Sequence, residues 1–184
     1  MNPAAPDREM PAINDIVVRW ARHPWEVAQA HAIRRDVFCE EQGVFQTDDR
    51  DEIDEHAQLL VAVVDDGSVA PYVVGTVRIH RATHDTNCWH GSRLAVRRDF
   101  RRHGRIGATL IMLAVSSAHA LGCHTFLANV QAQNAPLFRR LHWRTLEEVV
   151  CFGREHHLMQ ADLTCYAPCH TPYVGFAIEQ RRAA

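Results

Sequence analysis

An α/β (α+β) single domain with a mixed, mostly antiparallel central sheet flanked by helices is the fold class this chain predicts. Two kinds of segment alternate along it. Continuous apolar runs such as Leu59 to Val64 and Tyr72 to His80 are short enough, and rich enough in β-branched residues, to be buried strands. Between them lie segments of helical period, of which the clearest is Ile106, Leu110, Leu113 and Ser117 with Ala114 and Ala118 beside them. A length of 184 residues suits one domain with a full core.

Ile16-Val17-Val18 with Trp20 is the first strand. Pro24 then opens a helix, because proline is tolerated in a first turn; Trp25, Ala28, Ala32 and either Val37 or Phe38 form its apolar stripe. An acidic stretch follows: Asp48, Asp49, Asp51, Glu52, Asp54, Glu55. The runs at 59–64 and 72–80 form a hairpin around the turn Asp65-Asp66-Gly67-Ser68, with Gly75 marking a bulge or a close backbone approach. Trp89 to Arg97 is the next strand. The central helix spans Ile106 to Leu121, and Gly122 stops it. Thr125 to Val130 is a strand. Asn134 to Leu141 is a short helix with Asn134 as N-cap and Pro136 in its first turn. Trp143–Phe152 and His156–Leu163 are the last two strands. Residues 1–12, with three of the eight prolines, are expected to be a flexible lead-in, 13–165 the domain, and 166–184 a partly disordered tail.

Hydrophobic content is 47% and charged content 23%, ordinary for a globular protein. A formal net charge of −2 argues against a general nucleic-acid partner. All 20 basic residues are arginine, which excludes lysine-nucleophile or Schiff-base chemistry. No apolar run has the length of a membrane span, and the N-terminus lacks the apolar core of a signal peptide, so no membrane is expected and the cytoplasm is the expected compartment. The six cysteines then read as reduced thiols. Cys165, Cys169 and His170, with His156 and His157 upstream, do not have a common zinc spacing, and no metal is expected.

The chemistry concentrates at Arg93–Leu121. Leu94-Ala95-Val96 ends a strand; Arg97 to Gly107 is a basic turn; a helix follows. The first N–H groups of a helix lack partners within it, and its dipole favours anions. Gly104 and Gly107 let those groups converge, and Arg101, Arg102 and Arg105 add planar donors suited to phosphate oxygens. Neither a P-loop nor G-x-G-x-x-G is present.

The segment V-R-R-D-F-R-R-H-G-R-I-G-A resembles the coenzyme A pyrophosphate loop of the GNAT N-acetyltransferases, Arg/Gln-x-x-Gly-x-Gly/Ala. Arg101-x-x-Gly104 fits; Ile106 stands at the second small position, and Gly107 comes one place late. Upstream, R-x-x-V-F-x-x-E-Q-G-V followed by D-x-D-E-x-D resembles a subset of GNAT proteins and the layout of acyl-homoserine-lactone synthases, whose acidic residues face an amino substrate. H-x-I-R-R-D-V-F-C-E-E-Q-G-V-F, G-T-V-R-I-H, R-L-A-V and L-H-W are most similar to GNAT proteins associated with nitrogen starvation.

The resemblance implies direct transfer of an acetyl group from acetyl-CoA to a primary amine of a small molecule, in a protein that is often a homodimer. Leu94, Ala95 and Val96 would hold the pantetheine arm, and Arg101, Arg102, His103, Gly104, Arg105, Ile106, Gly107 and Ala108 the pyrophosphate. Asn134 matches the family asparagine that contacts the coenzyme A arm. Phe138 replaces the tyrosine that often protonates the departing thiolate. Candidate bases, in order, are Glu52, Asp54 and His80. The rivals are an autoinducer-synthase-like acyltransferase and a non-catalytic module of the same fold. Gly104→Trp is expected to abolish acetyl-CoA binding while leaving the far-ultraviolet circular dichroism unchanged; unaltered affinity in calorimetry would refute the loop assignment.

Overall fold

The computed structural model describes residues 16–65, 70–103 and 105–178, with His103 as backbone only. Its elements are β1 (Ile16–Trp20), α1 (Pro24–Arg35), β2 (Gln58–Val64), β3 (Tyr72–Arg81), β4 (Cys88–Val96), α2 (Arg105–Ala120), β5 (Thr125–Gln131), α3 (Ala135–Arg140), β6 (Trp143–Cys151), β7 (Arg154–Ala161) and β8 (Phe176–Ala177). The eight strands form one sheet in the order β6-β7-β5-β4-β3-β2-β1-β8. Only the β4–β5 pair is parallel, because α2 carries the chain back across the sheet between them. The expected mixed, mostly antiparallel sheet flanked by helices is what forms. The expected lead-in at 1–12 and most of the turn at 65–68 fall outside the described residues.

β2 is buried along its length from Leu59 to Val64, as its unbroken apolar run requires. One face of the sheet carries α2, whose Ile106, Leu110, Leu113, Ala114 and Ala118 enter the main core with Phe126, Trp143 and Met159. The other face carries α1, with Ala30, Ile33, Val37 and Phe38 against Leu59, Val61 and Val73. Gly75 serves both expected purposes. The β2–β3 register slips beside it, and α2 crosses so close that a Cβ there would lie 3.1 Å from Ile106 Cγ2 and 3.2 Å from Leu110 Cδ1.

Two expectations change. The buried face of α1 is Glu26, Ala30, Ile33 and Arg34, while Trp25, Ala28 and Ala32 are exposed. Two charged residues lie inward because each has an ion-pair partner: Glu26 meets Arg19 at 2.5 Å and Arg34 meets Asp49 at 2.8 Å. Asn134 holds the N-cap position of α3 but makes no side-chain cap. Its backbone is already helical (φ −95°, ψ −13°), since a 3₁₀ turn at Ala132–Asn134 runs directly into the helix. The helix α1 continues past Arg35 as a π-helical turn over Asp36–Glu41, closed by Gly43 at φ 60°.

The segment expected to be a partly disordered tail packs from Tyr166 to Ile178. Tyr166 and Ile178 are 5% and 3% exposed and belong to the main core. Cys169 N–H donates to Ser116 O on α2 (2.9 Å), Trp20 N–H to Pro172 O (2.9 Å) and Ile178 N–H to Ile16 O (3.0 Å). β8 then pairs with β1 and covers the sheet edge. The domain therefore runs at least to Ile178. The prolines that suggest looseness sit where the strap has few ladder bonds to make. Among the described residues no helix is long and apolar enough to cross a membrane.

The strap depends on Gly175. Its φ is 73°, and a Cβ there would lie 1.9 Å from Val18 O and 2.7 Å from Arg19 Cβ. Gly175→Ala is expected to cost ~2 kcal/mol or more in urea unfolding. Gly153→Ala, at φ 70° with open space around it, should cost only about 1 kcal/mol.

Candidate active site

The sheet opens between β4 and β5. Their pairing covers only Cys88↔Thr125, Trp89↔Phe126 and His90↔Leu127. Beyond His90 the strands diverge around a cleft of about 660 Å³. Gly91 begins the divergence: a Cβ there would lie 3.0 Å from Phe126 Cε1, so the ring rests against bare backbone. Two residues later β4 bulges. Thr76↔Ala95 becomes Arg78↔Ser92, so Arg93 and Leu94 together oppose Val77, and Arg93 has φ 56°. The backbone of β4 from Gly91 to Val96 thus faces β5 without ladder partners on that side. The bulge re-aims Arg93 and Leu94 into the cleft, which both line.

One wall of the cleft is an ion-pair ring. Arg34 binds Asp49 (2.8 Å) and Asp54 (2.6 Å); Arg78 binds Asp54 (2.7 Å) and Asp51 (2.5 Å); Arg93 binds Asp51 (3.1 Å) and Asp49 (3.0 Å). Three guanidiniums and three carboxylates alternate around a closed, electroneutral circuit. The side chains of Arg34 and Asp49 are fully buried and that of Arg78 almost so. Burial alone would raise the Asp54 carboxyl, but Arg34 and Arg78 hold it well below the usual carboxylate range. Arg78 likewise lowers Asp51.

The acidic stretch therefore divides: Asp49, Asp51 and Asp54 are committed to arginines, while Asp48, Glu52 and Glu55 are exposed. Its central members neutralise three arginines. Asp51 and Ile53 line the cleft; Glu52 and Asp54 do not. Glu52 is exposed on the 3₁₀ turn Glu52–Glu55, and Asp54 is bonded to two arginines.

His80 does line the cleft. It pairs across β3–β4 with His90, and the two rings stack at 5.5 Å and 19°. His56 meets His80 edge-on at 6.1 Å. His80 Nδ1 is buried and, among the described residues, has no hydrogen-bond partner. Burial, assisted by His90, Arg78 and His56, pushes the imidazole down to about 4. A neutral imidazole, its Nδ1 buried and unpaired among the described residues, therefore forms part of the cleft wall.

Leu94, Asn134 and Phe138 also line the cleft. Ala95 is buried, and Val96 O accepts from Arg101 Nε (2.8 Å). Arg101 also forks onto Glu41 of the π-helical turn at 2.8 and 2.9 Å. A 3₁₀ turn at Arg98–His103 leads into α2. Arg102 is exposed; Arg105 and Ala108 are half-buried. Gly104 and the His103 side chain lie outside the described residues. Ile106 is 1% exposed and packs over Gly75, which explains an apolar residue at that place in the turn. Gly107 has open space where a Cβ would project. Of the turn's described residues, Arg101, Arg102, Arg105, Ile106, Gly107 and Ala108 do not line the cleft itself.

Phe138 is edge-on to Trp143 (5.1 Å), which is edge-on to Phe126 (5.7 Å). Tyr166 is near but engaged. Its hydroxyl accepts from Trp143 Nε1 (3.0 Å) and donates to Leu141 O, and burial pushes the phenol up to about 12. Among the described residues no three His, Cys, Asp or Glu side chains are grouped to hold a metal ion.

Sequence reasoning missed Arg34, Arg78 and Arg93 as site residues, along with the aromatic pair beside them. The Arg93 guanidinium lies 4.6 Å from the Phe45 ring, and Phe45 is edge-on to Phe152 at 4.9 Å. The available signal was an arginine inside the apolar run Val73–Ile79. A buried arginine requires carboxylates, and the acidic stretch supplies them.

A sheet parted between two parallel strands, with a basic turn and a helix start at its mouth, defines the class: an acyltransferase-type α/β domain. The chain belongs to the acetyltransferase (GNAT) family, whose model matches residues 14–143. No curated protein sequence matches it significantly. Among solved structures, a protein from Lactobacillus plantarum assigned as an N-acetyltransferase superposes with a TM-score of 0.70 at 20% identity, over 82% of this chain and 99% of that one. TofI, in a ternary complex with an inhibitor and MTA, gives 0.62 at 18%, over 81% and 91%. The Salmonella typhimurium yncA structure with its cofactor acetyl-CoA gives 0.59 at 18%, over 82% and 95%. At these identities the likeness is one of fold.

The state of His80 has a measurable consequence. The unfolded chain protonates this residue near 6.5, the folded chain at about 4. Between those values the unfolded state binds more protons, so stability should fall as pH drops from 6.5 towards 4. His80→Asn is expected to flatten that part of the curve of melting temperature against pH. An unchanged slope would assign the loss to other groups.

Proposed function

We propose that the chain is an acyl-CoA-dependent N-acetyltransferase that moves the acetyl group of acetyl-CoA directly to a primary amine of a small molecule. The observation that carries this reading is the edge of β4 from Gly91 to Val96, which has no ladder partner on the side of the cleft that His80 also lines. An extended pantetheine arm, with its amides, can add to that edge as a strand would. The basic turn at Arg101–Ala108 lies beyond Val96, where the pyrophosphate of such a ligand would arrive. The similar fold of yncA, which was solved with acetyl-CoA, supports the same donor.

In this reading the amine attacks the thioester carbon, a backbone N–H near Val96 stabilises the oxyanion, and the C–S bond breaks. His80 becomes the first candidate base, ahead of Glu52 and Asp54. It alone of the three lines the cleft, and burial holds its ring neutral at neutral pH, as a base must be. Phe138 cannot protonate the thiolate. A thiol of pKa ~8.5 is a tolerable leaving group near neutral pH without that help. We take the enzyme to act in the cytoplasm as a homodimer, and group it with the nitrogen-starvation-associated GNAT proteins.

Phe138 also favours a second reading, a non-catalytic module that binds an acyl-CoA. The separating experiment has two stages. Acetyl-CoA at ~100 times its dissociation constant should stabilise the native state by about 2.7 kcal/mol; no rise in melting temperature would remove the donor and the reading with it. A panel of small primary amines should then yield acetylated product by mass spectrometry, and His80→Asn should lower kcat by ~10²-fold or more. Binding without turnover on any amine would favour the module.

A further inference from the structure

Arg101 is the arginine of the basic turn that matches the pyrophosphate-binding pattern, yet it is already bound to an anion of the protein itself. Its Nη1 and Nη2 form a two-pronged contact with Glu41 Oε2 and Oε1 at 2.8 and 2.9 Å. Its Nε donates to Val96 O at 2.8 Å, at the end of the open β4 edge. This is the geometry in which a guanidinium binds a phosphate, with a carboxylate in the phosphate's place. Glu41 comes from a distant part of the chain, the last residue of the π-helical turn Asp36–Glu41. The side chains of Arg101 and Glu41 are 40% and 32% exposed. A pair so accessible to water is weak and can be broken by a more highly charged anion reaching the same fork.

We propose that Glu41 is a placeholder for the donor pyrophosphate: it holds Arg101 folded against the Val96 carbonyl, ready for the ligand, and an incoming acyl-CoA displaces it. Glu41 is thus a positioning residue that acts through Arg101. The inference rests on the donor assignment made above. The occupied fork does not bind pyrophosphate until Glu41 lets go, so the pair sets a threshold. A singly charged anion gains little by exchanging one carboxylate for another, whereas a dianion gains a charge.

The test compares acetyl-CoA with S-acetylpantetheine, which carries the same thioester and arm but no pyrophosphate. Calorimetric dissociation constants would be measured for the wild type, Glu41→Gln, Arg101→Gln and the double variant. Glu41→Gln should bind acetyl-CoA roughly three- to ten-fold more tightly and S-acetylpantetheine with unchanged affinity. In the Arg101→Gln background the gain from Glu41→Gln should disappear. Equal or weaker binding of acetyl-CoA by Glu41→Gln would overturn the proposal. So would a gain shared by S-acetylpantetheine, which would mean a general change in the cleft, or a gain that survives without Arg101, which would mean simple charge removal. If the wild type and every variant fail to bind acetyl-CoA, the donor assignment falls and this inference falls with it. Binding by the wild type with no effect of Glu41 removes the inference alone.

Discussion

The alternating ring of Arg34, Asp54, Arg78, Asp51, Arg93 and Asp49 is the constraint around which one wall of the cleft is built. Its members come from α1, from the acidic segment, from β3 and from the bulge of β4. No one of these elements could bury its charge alone. An unpaired guanidinium as deep as Arg34 or Arg78 would be strongly destabilising, and removing one member of such a buried set costs ~3–5 kcal/mol because its partners are left uncompensated. The ring therefore determines where the acidic segment lies, how far α1 sits from the sheet, and which way β4 must turn so that Arg93 can close the circuit. The positive φ of Arg93 is sustained by these contacts, since a non-glycine residue does not hold that conformation unsupported.

Backbone hydrogen-bond accounting explains the open edge of β4. β4 is saturated by β3 along one edge and by β5 along only three residues of the other. A buried strand edge is normally paired or covered. Here the exposed edge faces a cleft with room for another extended chain, lined by Leu94, Phe126, Phe138 and Ala128. The parallel geometry of β4 and β5 comes from the α2 crossover. Their divergence comes from Phe126 lying against Gly91, and the added strand proposed here would complete a ladder that the protein leaves unfinished.

Much of this architecture was legible in the sequence, because strand and helix periods are local properties. The buried run at 59–64, the hairpin partner at 72–80, the central helix and its Gly122 stop were all visible as patterns of apolar residues. What was not visible depended on partners distant in the chain. The α1 stripe was misread because Glu26 and Arg34 point inward, which makes sense only once Arg19 and Asp49 are beside them. Prolines in the final segment suggested looseness, yet the strap is held by bonds to Ser116, Trp20 and Ile16. Of the candidate site, Leu94, Asn134, Phe138 and His80 come together at one cleft, and Glu52 and Asp54 stand apart from it. Counting carboxylates could not reveal that three were already committed, because the arginines that claim them lie up to 44 residues away in the chain.

The electroneutrality of the ring bears on how a base as weak as His80 could serve the proposed reaction. A cleft wall with free carboxylates would stabilise the acceptor as an ammonium ion and raise its pKa, holding it in the unreactive form. A neutral ring and apolar neighbours do the reverse. The same desolvation that pushes His80 down to about 4 also penalises a positive charge on the amine. Proton transfer depends on the difference between the two pKa values, and an environment that lowers both by similar amounts leaves that difference about as it is in free solution. Once the nitrogen bonds to the thioester carbon its proton becomes more acidic still, and His80 then needs only to be nearby and unprotonated. The burial that makes His80 a poor base in isolation is what keeps it unprotonated at neutral pH.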